Sequence, residues 1–561
     1  MKKFLKKIQP WFDEYALIAL SGFLLALIPL YPKLPLFDII PGYLVRVRIE
    51  DFFVALAVLI WIIQVARKKI TWKTPLTKPV IYYMVAGFLS ILSAVFITKT
   101  VPAELLHVGK TTLHYFRYIE YFSIFFILFS AIKTRKHLEV LLKVLFGTIL
   151  AIIVYGFGQK YFYWPVYSTM NREFSKGLRL YLTEHARVQS TFGGHYDLGG
   201  YLVLMLPLVL AASYAFVKKS SRILLRILFF IGTWQLIVGA SRSSFASFFV
   251  AIGIVLLFFT FDQKTIWTKI KWLSLQLLSL GFVIGILLSI FGQDINERFL
   301  QTLEGFPELN STYHRLNGER KEFMYAYLPK VTGISALRER LKPNNGISTD
   351  EAILALSKDN VLVPSDERPT TERPGDVYVN VPDLQKVATT SADGTVTYTT
   401  IEVERTYSNN ALIYGLSYAI RLDSLWPRAI AGFTTNPVFG SGYATLTKEA
   451  VGQFTEAEST DNNYLRALGE TGLAGFLTFF GAVFLAIWLS FKTVTKKISL
   501  NGYEKTIIIG FISGSIGLLV NAMAIDIFAA SKVAFSFWAL AGMALSIYVR
   551  KNKSVKKAKK S

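Results

Sequence analysis

The sequence predicts an all-α fold, a polytopic bundle of about twelve membrane-spanning helices, and three observations lead there. Of the 561 residues, 52% are hydrophobic and only 18% charged, against about 25% charged in an ordinary soluble domain; mean hydropathy is +0.41. The apolar residues gather into blocks of about 20, the length of helix that crosses a hydrocarbon core roughly 30 Å thick. Lysine and arginine collect in alternate connections between those blocks. A buried soluble core accounts for one or two such blocks, not a dozen.

The first block, 14–31, is too long for a cleaved signal peptide and is followed by no small-residue cleavage site. Further blocks at 50–66, 79–97, 114–131, 139–161, 197–217, 222–239, 243–261 and 272–292 make residues 1–292 a transmembrane region of nine spans. Residues 293–470 form one large loop between spans 9 and 10. The blocks 471–491, 505–524 and 530–549 then complete a second transmembrane region, 471–561, which ends in a basic tail. Within the loop, residues 307–410 read as a small, partly ordered insert. There "ISTDEAILALSKDN" (347–360) has the N-cap and periodicity of a short helix. "VPSDERPTTERPGDVYVNVP" (363–382) is rich in proline and charge and reads as extended. "DGTVTYTTIEVERTY" (393–407) alternates after Asp-Gly and reads as a strand, half of a hairpin. Residues 415–450 are semi-apolar, aromatic and basic, as helices at a membrane surface are. Pro427 is expected to start a new helix, and the Gly440-Ser441-Gly442 turn to let the backbone approach a neighbour closely.

Charge sets the direction of the chain. Lys2, Lys3, Lys6 and Lys7 precede the first span. Basic clusters then recur at Arg67, Lys68, Lys69 and Lys73, at Lys133, Arg135 and Lys136, at Lys218, Lys219 and Arg222, at Lys264, Lys269 and Lys271, at Lys492, Lys496 and Lys497, and over 550–560. Cytoplasmic loops of an inner-membrane protein attract this excess. Both termini are therefore expected in the cytoplasm, and connections 32–49, 98–113, 162–196, 240–242, 293–470 and 525–529 outside it. The net charge of +23 belongs to this topology and implies no nucleic acid. The absence of cysteine excludes disulfides and thiolate metal sites. The six histidines show no paired ligand spacing and no acidic pair forms a metal-binding DxD, so neither metal nor cofactor is expected.

The polar residues that stand out lie at the expected external ends of spans. Arg242, in "VGASRSSF", occupies a very short connection. It suits an anion at the membrane face, or a side chain snorkelling to lipid headgroups. Arg421 and Arg428 are seven residues apart, on one face if the helix is continuous, and read as a phosphate clamp or as contacts of a basic interfacial helix. Arg187 precedes a span that opens with Gly193-Gly194-His195; its planar fork matches two phosphate oxygens. His195 reads as a base, a ligand or a helix cap. "STDNN" (459–463) brings Asp461, Asn462 and Asn463 to the mouth of a span, where such residues cap helices or bind substrate. Arg117 and Glu120 read as an internal ion pair, and the glycines of "GFISGSIG" (510–517) as helix packing.

"RVQSTFGGHYDLGGYLVLMLPL", "GASRSSFASFFVAI", "IRLDSLWPRAIAGFTTNPVFGSGY" and "DNNYLRALGETGLAG", in this order, resemble motifs of the O-antigen ligase and O-antigen polymerase superfamily. The likeness covers roughly 180–300 and 415–490; the insert has no counterpart. It implies a metal-independent membrane glycosyltransferase acting at the outer face on polyprenyl-diphosphate-linked glycans. Undecaprenyl diphosphate carriers, a glycan acceptor, membrane lipids and other polysaccharide-assembly proteins would be its partners in building the cell envelope. Arg242 matches the family's arginine in the short turn, and Arg421 the arginine upstream of Trp426. The resemblance implies that both steady the leaving diphosphate, seconded by Arg187 and Arg428. Asp461 would take the acceptor proton, with Asn462 and Asn463 on sugar hydroxyls. The ligase branch has a histidine where Asp461 stands, so polymerase is favoured over O-antigen ligase and over transfer of glycan to protein. A lipid-linked oligosaccharide flippase is the rival from another class, but it should carry charge along many helices, and most spans here are nearly free of it.

Overall fold

The computed structural model describes residues 9–39, 46–170, 174–183, 186–303, 311, 315, 347–348, 383–390, 396–403, 408, 410, 416–446, 459–495 and 499–558. The chain is a helical multi-pass membrane protein. Eleven of the described helices are long and apolar enough to cross a bilayer: α1 (Gln9–Leu30), α2 (Ile49–Ala66), α3 (Thr77–Ile97), α5 (Arg135–Tyr161), α6 (His195–Ala215), α7 (Lys219–Val238), α8 (Arg242–Phe261), α9 (Ile266–Phe291), α12 (Asn463–Thr495), α13 (Gly502–Asn521) and α14 (Ser531–Ala558). A twelfth, α4 (Leu105–Ala131), has the length but carries Lys110, Arg117 and Glu120. The expected Arg117–Glu120 pair forms at 2.7 Å, and Asp51 of α2 joins it at 2.8 Å.

Helices apolar all round belong in the middle of a bundle, and α6 and α14 are almost wholly buried while α9 turns most of its surface outward. Helix α13 packs along α6 and α8, α14 along α4, and α12 along α3. Close approach comes from small residues: a Cβ on Gly514 would lie 2.5 Å from the Leu204 carbonyl oxygen, and one on Gly510 2.6 Å from Leu208 Cα. Lys532, at the start of α14, is buried and donates to the carbonyls of Pro29 (3.0 Å), Tyr31 (2.6 Å) and Thr191 (2.7 Å). Its ammonium thereby ties the end of α1 and the approach to α6 to the last span.

Between α9 and α12 come α10 (Gln293–Leu303) and a continuous helical run, α11, built from Leu416–Ile420, a wide π-turn Arg421–Leu425, and Trp426–Thr435. Pro427 falls in the first turn of the last piece, inside the continuous run rather than at the start of a new helix as expected. Because the run continues through it, the π-turn takes up the missing donor and the crowding that proline causes. The remaining structure is three two-stranded pairings. Strands β1 (Phe37–Asp38) and β2 (Arg46–Val47) are antiparallel. Strands β3 (Leu180–Tyr181) and β4 (Ile347–Ser348) are parallel. Strands β5 (Asp383–Thr390) and β6 (Val396–Val403) form the expected hairpin. Ile347 and Ser348, ahead of the expected short helix, form strand β4; the helix itself, and the proline-rich stretch 363–382, lie outside the described residues.

Helix α12 is broken at Gly472 (φ 61°, ψ −165°). A break strands the last carbonyls of one half and the first amides of the other, and the turn 437–442 satisfies both. Ser441 N donates to Gly469 O (2.8 Å) and Gly442 N to Glu470 O (2.9 Å). Leu473 N donates to Pro437 O (2.9 Å) and Ala474 N to Val438 O (3.0 Å). Gly440 makes the expected close approach, with no room for a Cβ beside the Glu470 carbonyl.

Candidate functional site

Helix geometry assembles the site at one end of the bundle. The start of α6, the start of α8, the start of α12 and the turn after α13 all meet there, joined by α10 and α11 from the large loop. Helix α7 ends at Val238 and α8 opens with Arg242 after a three-residue turn, so Arg242 cannot retreat far from the helix ends. Its Nη1 donates to the main-chain carbonyl of Arg298 on α10 (2.8 Å). Its charge is felt by, and feels, Arg187, Arg421, Tyr196 and Tyr418.

Arg187 reaches the first residues of α6. It donates to Nε2 of the buried His195 and, at 3.4 Å, to the Tyr196 hydroxyl, with its guanidinium 5.8 Å from the Tyr196 ring centre. A guanidinium has only donors, so His195 is neutral here, with its proton on Nδ1. His195 thus serves Arg187 as an orienting acceptor.

Arg421 occupies the π-turn of α11 and is 8% exposed. It pairs with Asp461 (Nη2–Oδ2 2.8 Å), reaches the Ala524 carbonyl at 3.4 Å, and lies 5.8 Å from the Tyr418 ring centre. Asp461 has a left-handed backbone (φ 50°), which aspartate tolerates better than most residues. Ser459 donates to its second oxygen (2.8 Å). Burial lifts the Asp461 carboxyl above its ordinary range, while the Arg421 charge and the Ser459 hydroxyl pull it down and the Asp526 charge adds to the rise.

Five of the expected site residues therefore come together: Arg187, His195, Arg242, Arg421 and Asp461. Arg298 joins them, a residue that sequence reasoning missed. It is buried, and burial together with the neighbouring Arg187 charge draws its guanidinium down to about 9. Arg428 lies half-buried in the first turn of the Trp426–Thr435 segment. The intervening π-turn breaks the 3.6-residue register on which its shared face with Arg421 depended.

Asn462 and Asn463, expected on sugar hydroxyls, hydrogen-bond to the backbone in the structure. Asn462, not Asp461, caps α12: its Oδ1 accepts from the amides of Tyr464 and Leu465, both at 3.0 Å, and its Nδ2 donates to Met523 O (3.1 Å). Asn463 is buried, and its Oδ1 accepts from Phe528 N (2.8 Å). Both carbonyl oxygens serve the protein's own backbone, which an isolated Asn-Asn pair in a sequence does not reveal.

Chemically, four guanidinium groups and one carboxylate share one neighbourhood. An anion entering it relieves mutual repulsion as well as gaining charge-assisted hydrogen bonds. Among the described residues no group of three or more histidine and carboxylate side chains is placed to hold a metal ion. Comparison of the chain with known protein families and with curated proteins returned no match.

Proposed function

We propose that the protein is a membrane glycosyltransferase that polymerises polyprenyl-diphosphate-linked oligosaccharide units at the outer face of the cytoplasmic membrane. The observation that carries this reading is the meeting of Arg187, Arg242, Arg298 and Arg421 with Asp461 at the span ends. The acceptor hydroxyl oxygen attacks the anomeric carbon, the bond from that carbon to the diphosphate oxygen breaks, and the electron pair leaves with the lipid diphosphate. The hydroxyl proton passes to Asp461. Fixed cations around a leaving group that gains charge are worth about 3–4 kcal/mol each in comparable sites, and a positioned base about 10²–10⁴ in rate. Arg242 and Arg421 hold the diphosphate, with Arg187 and Arg298 beside them and His195 orienting Arg187.

The test is a gel of polymer length beside an immunoblot. Arg242→Lys and Arg421→Lys keep the charge and lose the planar fork; both should lose most polymer at normal protein level. Asp461→Asn leaves the α12 cap untouched, because Asn462 supplies it. It should leave single lipid-linked units unextended. Near-normal chains from Asp461→Asn overturn the base, and near-normal chains from both arginine variants overturn the diphosphate site.

A further inference from the structure

We propose that Asp526 is the positioning residue that holds Asp461 against Arg421; this rests on the reading of Asp461 as the base. Asp526 lies in the turn between α13 and α14 and is 7% exposed. Its Oδ2 accepts from Thr460 N (2.7 Å), the Ser459 hydroxyl (3.0 Å) and Arg466 Nη1 (3.1 Å), and its Oδ1 from Asn462 N (3.0 Å).

The pattern of donors is what matters. Thr460 and Asn462 stand on either side of Asp461, and one carboxylate pins both amides. The residue between them takes up a left-handed backbone and its side chain points away, onto Arg421. Ser459 then bridges the two carboxylates: its oxygen lies 2.8 Å from Asp461 Oδ1 and 3.0 Å from Asp526 Oδ2. A hydroxyl has one proton to give, so it serves one carboxylate at a time. Asp526 is itself anchored by Arg466, whose guanidinium also faces Glu470 (3.4 Å), and Glu470 accepts from Ala444 N (3.1 Å). The sequence of contacts Glu470–Arg466–Asp526–Ser459–Asp461–Arg421 thus runs from the break in α12 to the site. With both oxygens engaged and little exposure, Asp526 acts through Asp461.

The groups facing Asp461 are Arg421 from α11, Tyr196 from α6, Asp526 from the α13–α14 turn, and Ser459 on its own segment. The Asp526 charge raises the Asp461 carboxyl and the Ser459 hydrogen bond lowers it. Removing each one should move the acid limb of the rate profile in opposite directions, which general loosening of the turn would not do.

The experiment follows chain lengthening by the full-length protein in bilayer vesicles. The donor is polyprenyl-diphosphate-linked glycan extracted from the native host, measured across pH at saturating and limiting concentration. Asp526→Asn should lower the saturated rate about tenfold to a hundredfold, the usual effect of a slightly misplaced reacting group. It should leave half-saturation by donor unchanged and shift the acid limb to lower pH. Ser459→Ala, which leaves the Thr460 and Asn462 amide bonds to Asp526 in place, should shift that limb to higher pH and keeps the test open should Asp526→Asn accumulate poorly. On an Asp461→Asn background, Asp526→Asn should cost nothing further. Wild-type rate and profile in Asp526→Asn, shifts of the same sign in both variants, or full additivity with Asp461→Asn would overturn the positioning role. Wild-type rate in Asp461→Asn alone overturns the base itself, and is read separately.

Discussion

Asp461 stands between burial, which favours its neutral form, and Arg421, which favours its charged form, and burial prevails. A base must be ionised to work, so activity should fall as pH drops through its raised value. The acid limb of chain-lengthening rate should therefore lie above about 3.9, the ordinary value for aspartate; a midpoint at or below that figure removes Asp461 from the proton transfer. Residues of this kind are legible in a sequence because a charge at a span end is costly and conspicuous, and Arg187, Arg242, Arg421 and Asp461 stood out for that reason. Arg298 did not. It sits in "QDINERFLQTL", whose mixed polar face reads as solvated, and only the folding of α10 onto Arg242 brings it inside. Asp526 was likewise hidden in a short turn between two spans, where an acid ordinarily means exposure.

At the scale of elements, the break in α12 is the decisive feature. Non-helical backbone at the depth of a span end persists only where protein satisfies its polar groups, and the turn 437–442 does so on both sides of Gly472. A Cβ at Gly472 would fall 2.4 Å from the Val438 carbonyl carbon, and its backbone, positive in φ and extended in ψ, costs a non-glycine residue about 1–3 kcal/mol in addition. Gly472→Ala should lower the melting temperature in detergent by several degrees and reduce polymer. Gly481, in the same helix, has nothing within 4 Å of a built Cβ, and Gly481→Ala should be neutral or stabilising by about 0.5–1 kcal/mol. Equal effects from the two would show that the break is unimportant. The sequence "ETGLAG" carries no sign of the break, because glycine is common in such helices and the partner turn lies some thirty residues upstream. The positions of the spans were legible, apolar length being a local property, but their ends were not: α4, α9 and α12 begin well ahead of the blocks 114–131, 272–292 and 471–491. Meetings such as β3 with β4 depend on distant chain and were not.

For the whole molecule, alternation of basic connections leads us to propose that the two long loops lie on one side and both termini on the other. An enzymatic reporter at Lys496 should register in the cytoplasm and one at Asp393 outside it; an external signal at Lys496 would reverse the placement of every proposed catalytic group. The large loop has a further property. It leaves the bundle through α10, whose Arg298 carbonyl holds Arg242, and re-enters through α11, whose Arg421 charge the same guanidinium feels. Covalent continuity between those two points adds little to what packing already joins, since α12, α13 and α14 lie against α3, α4, α6 and α8 along their lengths. Two separately translated polypeptides, 1–303 and 304–561, should therefore find each other in the bilayer and restore polymer synthesis by fragment complementation, with co-purification through a tag on either piece as the measure. The gene would then tolerate being cut at the very place where its product works.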